Sequence, residues 1–240
     1  MKANLNYKLT LFVHNKPIHL QQQLQTELQN LELMAKEPNR APELHVWQST
    51  AALVVTQKDT LLPNFRVAKD ILATRGVDVL VRKTGGSAVL QSKAVVNVSL
   101  IWREQKGTSI ADAYQHMCQP LRNTLLKYGV ETQLSSVKGA FCDGSYNLVV
   151  DGLKLAGTSQ RWKRTPQGLA VLGHIVLILS KSYENELELV DDFYGLAGGE
   201  QVLKDHTLVG LNELIPQFQH QSTHFQHGFI KSLAREYSGD

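Results

Sequence analysis

The chain lacks most of the features that would place it outside the class of ordinary folded, reduced proteins. Cysteine is scarce, with Cys118 and Cys142 the only two in 240 residues, so no disulfide framework can form. Charge of one sign is also in short supply: 25 Lys and Arg against 22 Asp and Glu leave a net charge of +3, dispersed rather than run together. Such a balance carries no nucleic-acid footprint. The most apolar run, Val171 to Leu179, is broken by Gly173 and His174 and is about half the ~20 residues that a membrane span needs. The first residues, MKANLNYKLTLFVHN, have neither the apolar stretch nor the small-residue cleavage site of a secretory signal. These absences predict a cytoplasmic protein with neither nucleic acid nor membrane as partner. Solenoid repeats and Pro/Gly/Ser linkers are missing too, which predicts one domain over residues 1–240 without a separate accessory domain.

What is present is globular: 42% hydrophobic and 20% charged residues, in a chain long enough to bury roughly 70% of its unfolded surface. Leu20, Leu24, Leu28 and Leu31 recur at helical period in a Gln-rich segment. Two β-rich runs, ELHVWQ and ALVVTQ, precede FRVAKDILATRG, where Val67, Ile71 and Leu72 predict a helical stripe ended at Gly76. VDVLVRKTGGSAVLQ reads as a strand, a Gly-Gly loop and a return strand, continued by a strand from Ala94 to Trp102. Thr108 or Ser109 then caps a helix to about Tyr128, with Tyr114, Met117, Leu121 and Leu125 inward. Asp151-Gly152 between alternating runs marks a two-residue hairpin turn. From Glu184 onward only short helical pieces are discernible. The pattern predicts an α+β fold, a mostly antiparallel sheet flanked by helices.

Chemistry concentrates in two segments. In GAFCDGSYNLVVDGLKLAGTSQRW, Cys142 occupies a Cys-Asp-Gly turn before the hairpin, which places its thiol at a strand mouth. Lys154 on the return strand supplies an ammonium that would lower the thiol pKa and polarise an acyl carbonyl. Asp143 would act in the opposite sense. The competing reading is a small buried cysteine and a solvated lysine. In VRKTGGSAV, consecutive glycines let backbone N–H groups approach an anion or carbonyl, and Arg82 stands beside them. Cys118, on the apolar side of its helix, reads as structural. His174 within an apolar strand reads first as a hydrogen-bonded core residue and second as a site residue. His220, His224 and His227 recur at helical spacing, but with no carboxylate or cysteine beside them they read as a solvated tail helix rather than a metal site.

At these two segments the sequence resembles the biotin/lipoate protein ligase superfamily, in its lipoate-attachment branch. The matching residues are Arg82, Thr84, Gly85, Gly86, Ala88 and Val89 in the first motif, and Lys154, Gly157, Ser159, Gln160 and Arg161 in the hairpin LVVDGLKLAGTSQR. The order of elements is similar from about residue 40 to 180. The resemblance implies an acyl group in a tunnel beside the Gly-Gly loop, with the motif lysine on the acyl carbonyl. Candidate catalytic residues are then Cys142 and Lys154; candidate substrate-binding residues are Arg82, Thr84, Gly85, Gly86, Ser87, Ala88, Gly157, Thr158, Ser159 and His174. Burying six methylenes of an eight-carbon chain at ~0.8 kcal/mol each gives about 5 kcal/mol, only sub-millimolar affinity, so covalent capture or activation is an advantage.

Ligases of the family activate free acid with ATP and typically show Gly-Arg-Asn-Asp before the hairpin, where this chain has Phe141-Cys142-Asp143-Gly144. A cysteine there looks like the octanoyltransferases that pass an acyl group from glycine cleavage H protein to E2 subunits of 2-oxoacid dehydrogenases. That branch usually has Cys-Pro-Gly, and an acidic residue where Asn147 stands. The first expectation is therefore a cofactor-independent, metal-independent acyltransferase whose partners are lipoyl domains and the H protein or an acyl carrier protein. The second is an ATP- and magnesium-dependent lipoate or octanoate ligase. The third is a non-catalytic binder of acylated carrier domains.

Overall fold

The structure, a computed structural model, describes residues 9–14, 16–200, 203–204, 206–218 and 223–238, the side chains of 223–227 excepted. Its frame is a seven-stranded sheet in the order β1-β2-β6-β10-β9-β8-β7, beside a three-stranded sheet in the order β4-β3-β5. The strands of the large sheet are β1 (Thr10–Val13), β2 (Glu43–Trp47), β6 (Val95–Glu104), β7 (Gln133–Ser135), β8 (Asn147–Val150), β9 (Leu153–Thr165) and β10 (Gly168–Ile178). All pair antiparallel except β1 with β2. The expected α+β class, with a mostly antiparallel sheet, is what the chain adopts.

The small sheet departs from the expected strand, loop and return strand. β4 (Asp78–Arg82) and β5 (Val89–Gln91) do not pair with each other; β3 (Ala52–Thr56) lies between them, parallel to β4 and antiparallel to β5. The reason is α2 (Phe65–Thr74), which connects β3 to β4. A helical crossover returns the chain parallel to the strand it left, as a tight turn cannot. The Gly85-Gly86 segment therefore bridges over a strand and is not a hairpin turn. Within α2 the buried residues are Ala68 and Leu72, and Val67 is 54% exposed, contrary to its place in the expected stripe.

Alternation along β6 and β10 gives the large sheet two different faces. One face carries Val98, Leu100, Trp102, Val171, Ile175 and Leu177 and packs against α3 (Ile110–Lys127) and α7 (Thr223–Ser238). Ser109 caps α3, accepting from the Asp112 N–H at 3.1 Å. In α7, Phe229, Leu233 and Tyr237 are buried in this core, so the helix is packed and not solvated as expected. Each such side chain contributes about 1.5–3 kcal/mol of burial. His220 and the side chains of His224 and His227 lie outside the described residues. The other face is covered by α1 (Leu20–Lys36), by the small sheet and by α5 (Glu188–Ala197). The buried seam of α1 runs through Leu20, Gln23, Glu27, Leu31 and Met34, with Leu24 and Leu28 half-buried against the core at its edge. Two polar residues thus occupy inward positions of an otherwise apolar seam, which signals a polar site beneath it. No described helix is long and apolar enough to cross a membrane.

Candidate active site

The hairpin that carries the site forms as its turn chemistry dictates. Asp151 and Gly152 both adopt positive φ, 49° and 82°, the conformation that a two-residue turn with the twist of the strands requires. β9 then departs from strict alternation. Leu148 is opposite Ala156 while Val149 is opposite Lys154, a register shift between the two pairs. The Lys154 backbone bonds instead to residues 207 and 209, its N–H to Thr207 O at 2.9 Å and its carbonyl to the Val209 N–H at 3.1 Å. The bulge turns Lys154 to the same side as Gly157 and Ser159, although spacings of three and five would otherwise oppose it.

Lys154 is fully buried. Its ammonium donates to the carbonyls of Phe141 and Cys142, the latter at 3.1 Å, and sits 3.9 Å above the Phe141 ring centre. Burial pulls its pKa down from 10.5 to about 8, against the upward influence of Cys142 and Asp143. Gly157 leaves room for it: a Cβ there would come within 3.3 Å of Cε and Nζ. Lys154 therefore holds the backbone of the cysteine turn.

Cys142 itself has a φ of 45°, the left-handed conformation that a non-glycine residue adopts only under local constraint. Its sulfur accepts from the Ser87 N–H at 3.3 Å and from Arg82 Nη2 at 3.7 Å. Burial would push the thiol up, but the Arg82 guanidinium, the Lys154 ammonium and the Ser87 N–H together hold it below the ordinary value. Arg82 acts before Lys154 here, so the cation that contacts the sulfur comes from the Gly-Gly segment. Asp143, expected to oppose the thiolate, directs its carboxylate to the Val137 N–H at 2.8 Å.

The two segments that the sequence singled out thus converge on one sulfur. Arg82 also donates to Ser159 Oγ at 3.3 Å and to the Ser87 carbonyl at 3.0 Å, and its buried Nε has no hydrogen-bond partner among the described residues. Gly86, at φ 106°, is needed: a Cβ would overlap the Cys142 sulfur and come within 2.8 Å of Arg82 Nη2. Gly85 faces open space, and nothing lies within 4 Å of a Cβ built there. Thr158 is not brought to the sulfur; it donates to the Tyr146 carbonyl at 2.7 Å and is paired with Ile175 of the α3-facing side.

His174 is held as a hydrogen-bonded core residue at the edge of the site. It stands between Ser99 and Ser159 in register, with Nε2 2.8 Å from Glu27 Oε2 and Nδ1 3.5 Å from Thr84 Oγ1. Glu27 is fully buried and accepts from Gln23 and Trp47; burial pushes its carboxyl up, but His174 and the hydrogen bonds of Ser99 and Gln23 together hold it below the usual carboxylate range. A carboxylate only accepts, so Nε2 carries the proton. Sequence reading missed Glu27, Trp47 and Ser99, and also Tyr194 and Asp59, whose hydrogen bonds reach Ala88. The polar residues at the inward phase of α1 were a signal for Glu27; Tyr194 lies in a segment with no clear pattern. Among the described residues, no group of three or more His, Cys, Asp or Glu could hold a metal ion.

Comparison with known proteins places the chain in a family and a fold. The model of the lipoyl protein ligase A/B catalytic domain matches residues 17–192. An octanoyl-[GcvH]:protein N-octanoyltransferase of Kyrpidia tusciae is 31% identical over 182 residues, 72% of this chain and 62% of that protein. One from Bacillus velezensis is 34% identical over 179 residues, 70% of this chain and 61% of that protein. The chain thus matches about three fifths of the length of these curated relatives. Among solved structures, a bi-partite lipoate protein ligase of Thermoplasma acidophilum superposes with a TM-score of 0.57 at 15% identity, covering 98% of this chain and 93% of that one. A lipoate-protein ligase A bound with ATP gives 0.59 at 15% identity, covering 98% and 94%. At that identity the two structures establish a shared fold.

Proposed function

Because the chain belongs to the lipoyl protein ligase A/B catalytic domain family, we propose that it is an acyltransferase of protein lipoylation that carries an octanoyl group on Cys142. The observation that carries the reading is the convergence of Arg82 and the Ser87 N–H on a thiol held below its ordinary pKa. A ligase that activates free acid with ATP needs no such thiolate. The relatives' names supply the donor, an octanoylated GcvH, and an acceptor given only as a protein; for this chain we take the acceptor to be a lipoyl domain.

In the first step the Cys142 thiolate attacks the carbonyl carbon of the donor's octanoyl-lysine amide, the C–N bond breaks, and the donor amine leaves with a proton taken up from solvent. In the second, a neutral lysine amine of the acceptor attacks the thioester, the C–S bond breaks, the thiolate returns, and the surplus proton goes to solvent. One amide replaces another, so the exchange is close to isoenergetic and requires no ATP. Charge on the carbonyl oxygen develops beside Arg82, whose buried Nε has no hydrogen-bond partner among the described residues, and the buried Lys154 ammonium adds to that field. Ser159, which accepts from Arg82, and the His174–Thr84 contact are assigned to substrate binding together with Gly86 and Gly157.

Intact mass after incubation with octanoylated H protein tests this directly. Wild type gains one octanoyl group that hydroxylamine removes, and Cys142→Ala gains none and transfers none. Octanoylation of a lipoyl domain by Cys142→Ala, driven by ATP, magnesium and free octanoate, would replace this reading with the ligase. Tight binding of the acylated domain with no transfer from any donor would replace it with a binder.

A further inference from the structure

The Gly85-Gly86 segment is flexible by composition, yet the peptide that follows it is held at both ends. The Ser87 carbonyl accepts from Arg82 Nη2 at 3.0 Å, and the Ala88 N–H donates to the Tyr194 hydroxyl at 2.9 Å. These two groups belong to one peptide unit, so its plane cannot rotate without breaking one of them. Rotation there would swing the neighbouring Ser87 N–H, which points at the Cys142 sulfur from 3.3 Å. Tyr194 is anchored in turn. It is 6% exposed, packs edge-on against Phe193 with ring centres 5.1 Å apart, and donates its proton to Asp59 Oδ1 at 3.1 Å. The other Asp59 oxygen accepts from the Thr56 N–H at 2.7 Å and the Thr56 hydroxyl at 2.8 Å. Three segments distant in sequence, β3 with the turn after it, the Gly-Gly segment and α5, thus meet at one phenol.

We propose that Tyr194, backed by Asp59, is a positioning residue that locks the Ser87–Ala88 peptide so that the Ser87 N–H and Arg82 meet the Cys142 sulfur. The inference rests on Cys142 being the reactive group. Tyr194 does not touch the sulfur; it acts through the backbone of the loop. Losing the phenol hydroxyl frees the peptide plane about the adjacent glycine hinge and leaves the thiolate with Arg82 but without a fixed N–H donor.

The test is the pH profile of Cys142 alkylation by iodoacetamide, resolved by peptide mass spectrometry, in wild type, Tyr194→Phe and Asp59→Asn. Tyr194→Phe keeps the ring and removes the hydroxyl. The midpoint of its profile should move to higher pH, with a rate on the acid limb, well below both midpoints, about tenfold lower, the change that a shift of one pKa unit produces there. Asp59→Asn, which weakens the anchor, should give a smaller shift in the same direction. Leu189→Ala disturbs the packing of α5 at a residue without ring contact to Tyr194, and should lower the thermal midpoint without moving the profile. An unmoved profile in a folded Tyr194→Phe overturns the proposal, as does an equal shift in Leu189→Ala. If Tyr194→Phe does not fold, Asp59→Asn decides by the same criterion. Alkylation needs no acyl donor: a missing octanoyl adduct in wild type defeats the proposed function alone, and an unmoved profile beside a normal adduct defeats the clamp alone.

Discussion

The two faces of the large sheet place the chain's two cysteines in opposite chemical states. On the α3 face, Cys118 lies among Met117, Leu121 and Leu125, and burial pushes its thiol up to about 12 with only Arg122 drawing it down. On the other face, Cys142 is also poorly solvated, yet its thiol sits below the ordinary value because Arg82, Lys154 and the Ser87 N–H surround it. The same desolvation acts on both, so burial alone does not decide reactivity. What decides it is whether fixed positive groups replace the lost water.

Several substitutions can break or sharpen that contrast. The largest effect belongs to Gly86→Ala, whose Cβ overlaps the Cys142 sulfur. Acyl transfer should fall by at least about a hundredfold, with a stability cost of about 1–3 kcal/mol from the positive φ, measured by transfer kinetics and thermal melting. Gly85→Ala, with open space around it, should stay within a few-fold of wild type in the same assay. Next is Arg82→Gln, which removes the cation in contact with the sulfur. On the acid limb of the profile, alkylation of Cys142 should drop about tenfold or more, since one pKa unit is there a factor of ten, while Cys118 is unchanged.

A pH effect follows in size. The Lys154 ammonium loses its proton as pH rises through about 8, so transfer should decline above that pH, and Lys154→Met should be slower and lack the alkaline limb. The same depressed pKa makes the fold relatively more stable as pH climbs from about 8 toward 10.5, because over that range the unfolded lysine holds more proton than the folded one. The smallest effect is expected at the other thiol. Cys118→Ala should cost about 1 kcal/mol of stability through a small cavity and leave transfer unaltered, as read by denaturant melts and the same kinetics.

The parts of this molecule that were legible in its sequence are those whose physics is local. The Asp151-Gly152 turn, the Ser109 cap and the Cys142 turn each depend on a few consecutive residues, and each formed as expected. The insertion of β3 between β4 and β5 was less visible, although a helix between two strands already implied a parallel crossover. A Gly-Gly pair does not reveal which Cβ would collide: the sulfur contact makes glycine necessary at Gly86, whereas Gly85 faces open space. Lys154 was read as the partner of the thiol; the bulge that turns it and the carbonyls that receive it come from elsewhere in the chain. Glu27, Tyr194 and Asp59 reach the site from distant segments, and no local pattern marks such a meeting.

The central claim is that this fold builds one thiolate and suppresses the other. Site-resolved alkylation of the native protein between pH 5 and 10 measures both sulfurs in one experiment. The account predicts that Cys142 reacts with a midpoint below that of an ordinary thiol, while Cys118 stays unmodified until the chain is unfolded. A Cys142 midpoint at or above the ordinary thiol value, or comparable labelling of the two cysteines in the folded protein, would contradict it.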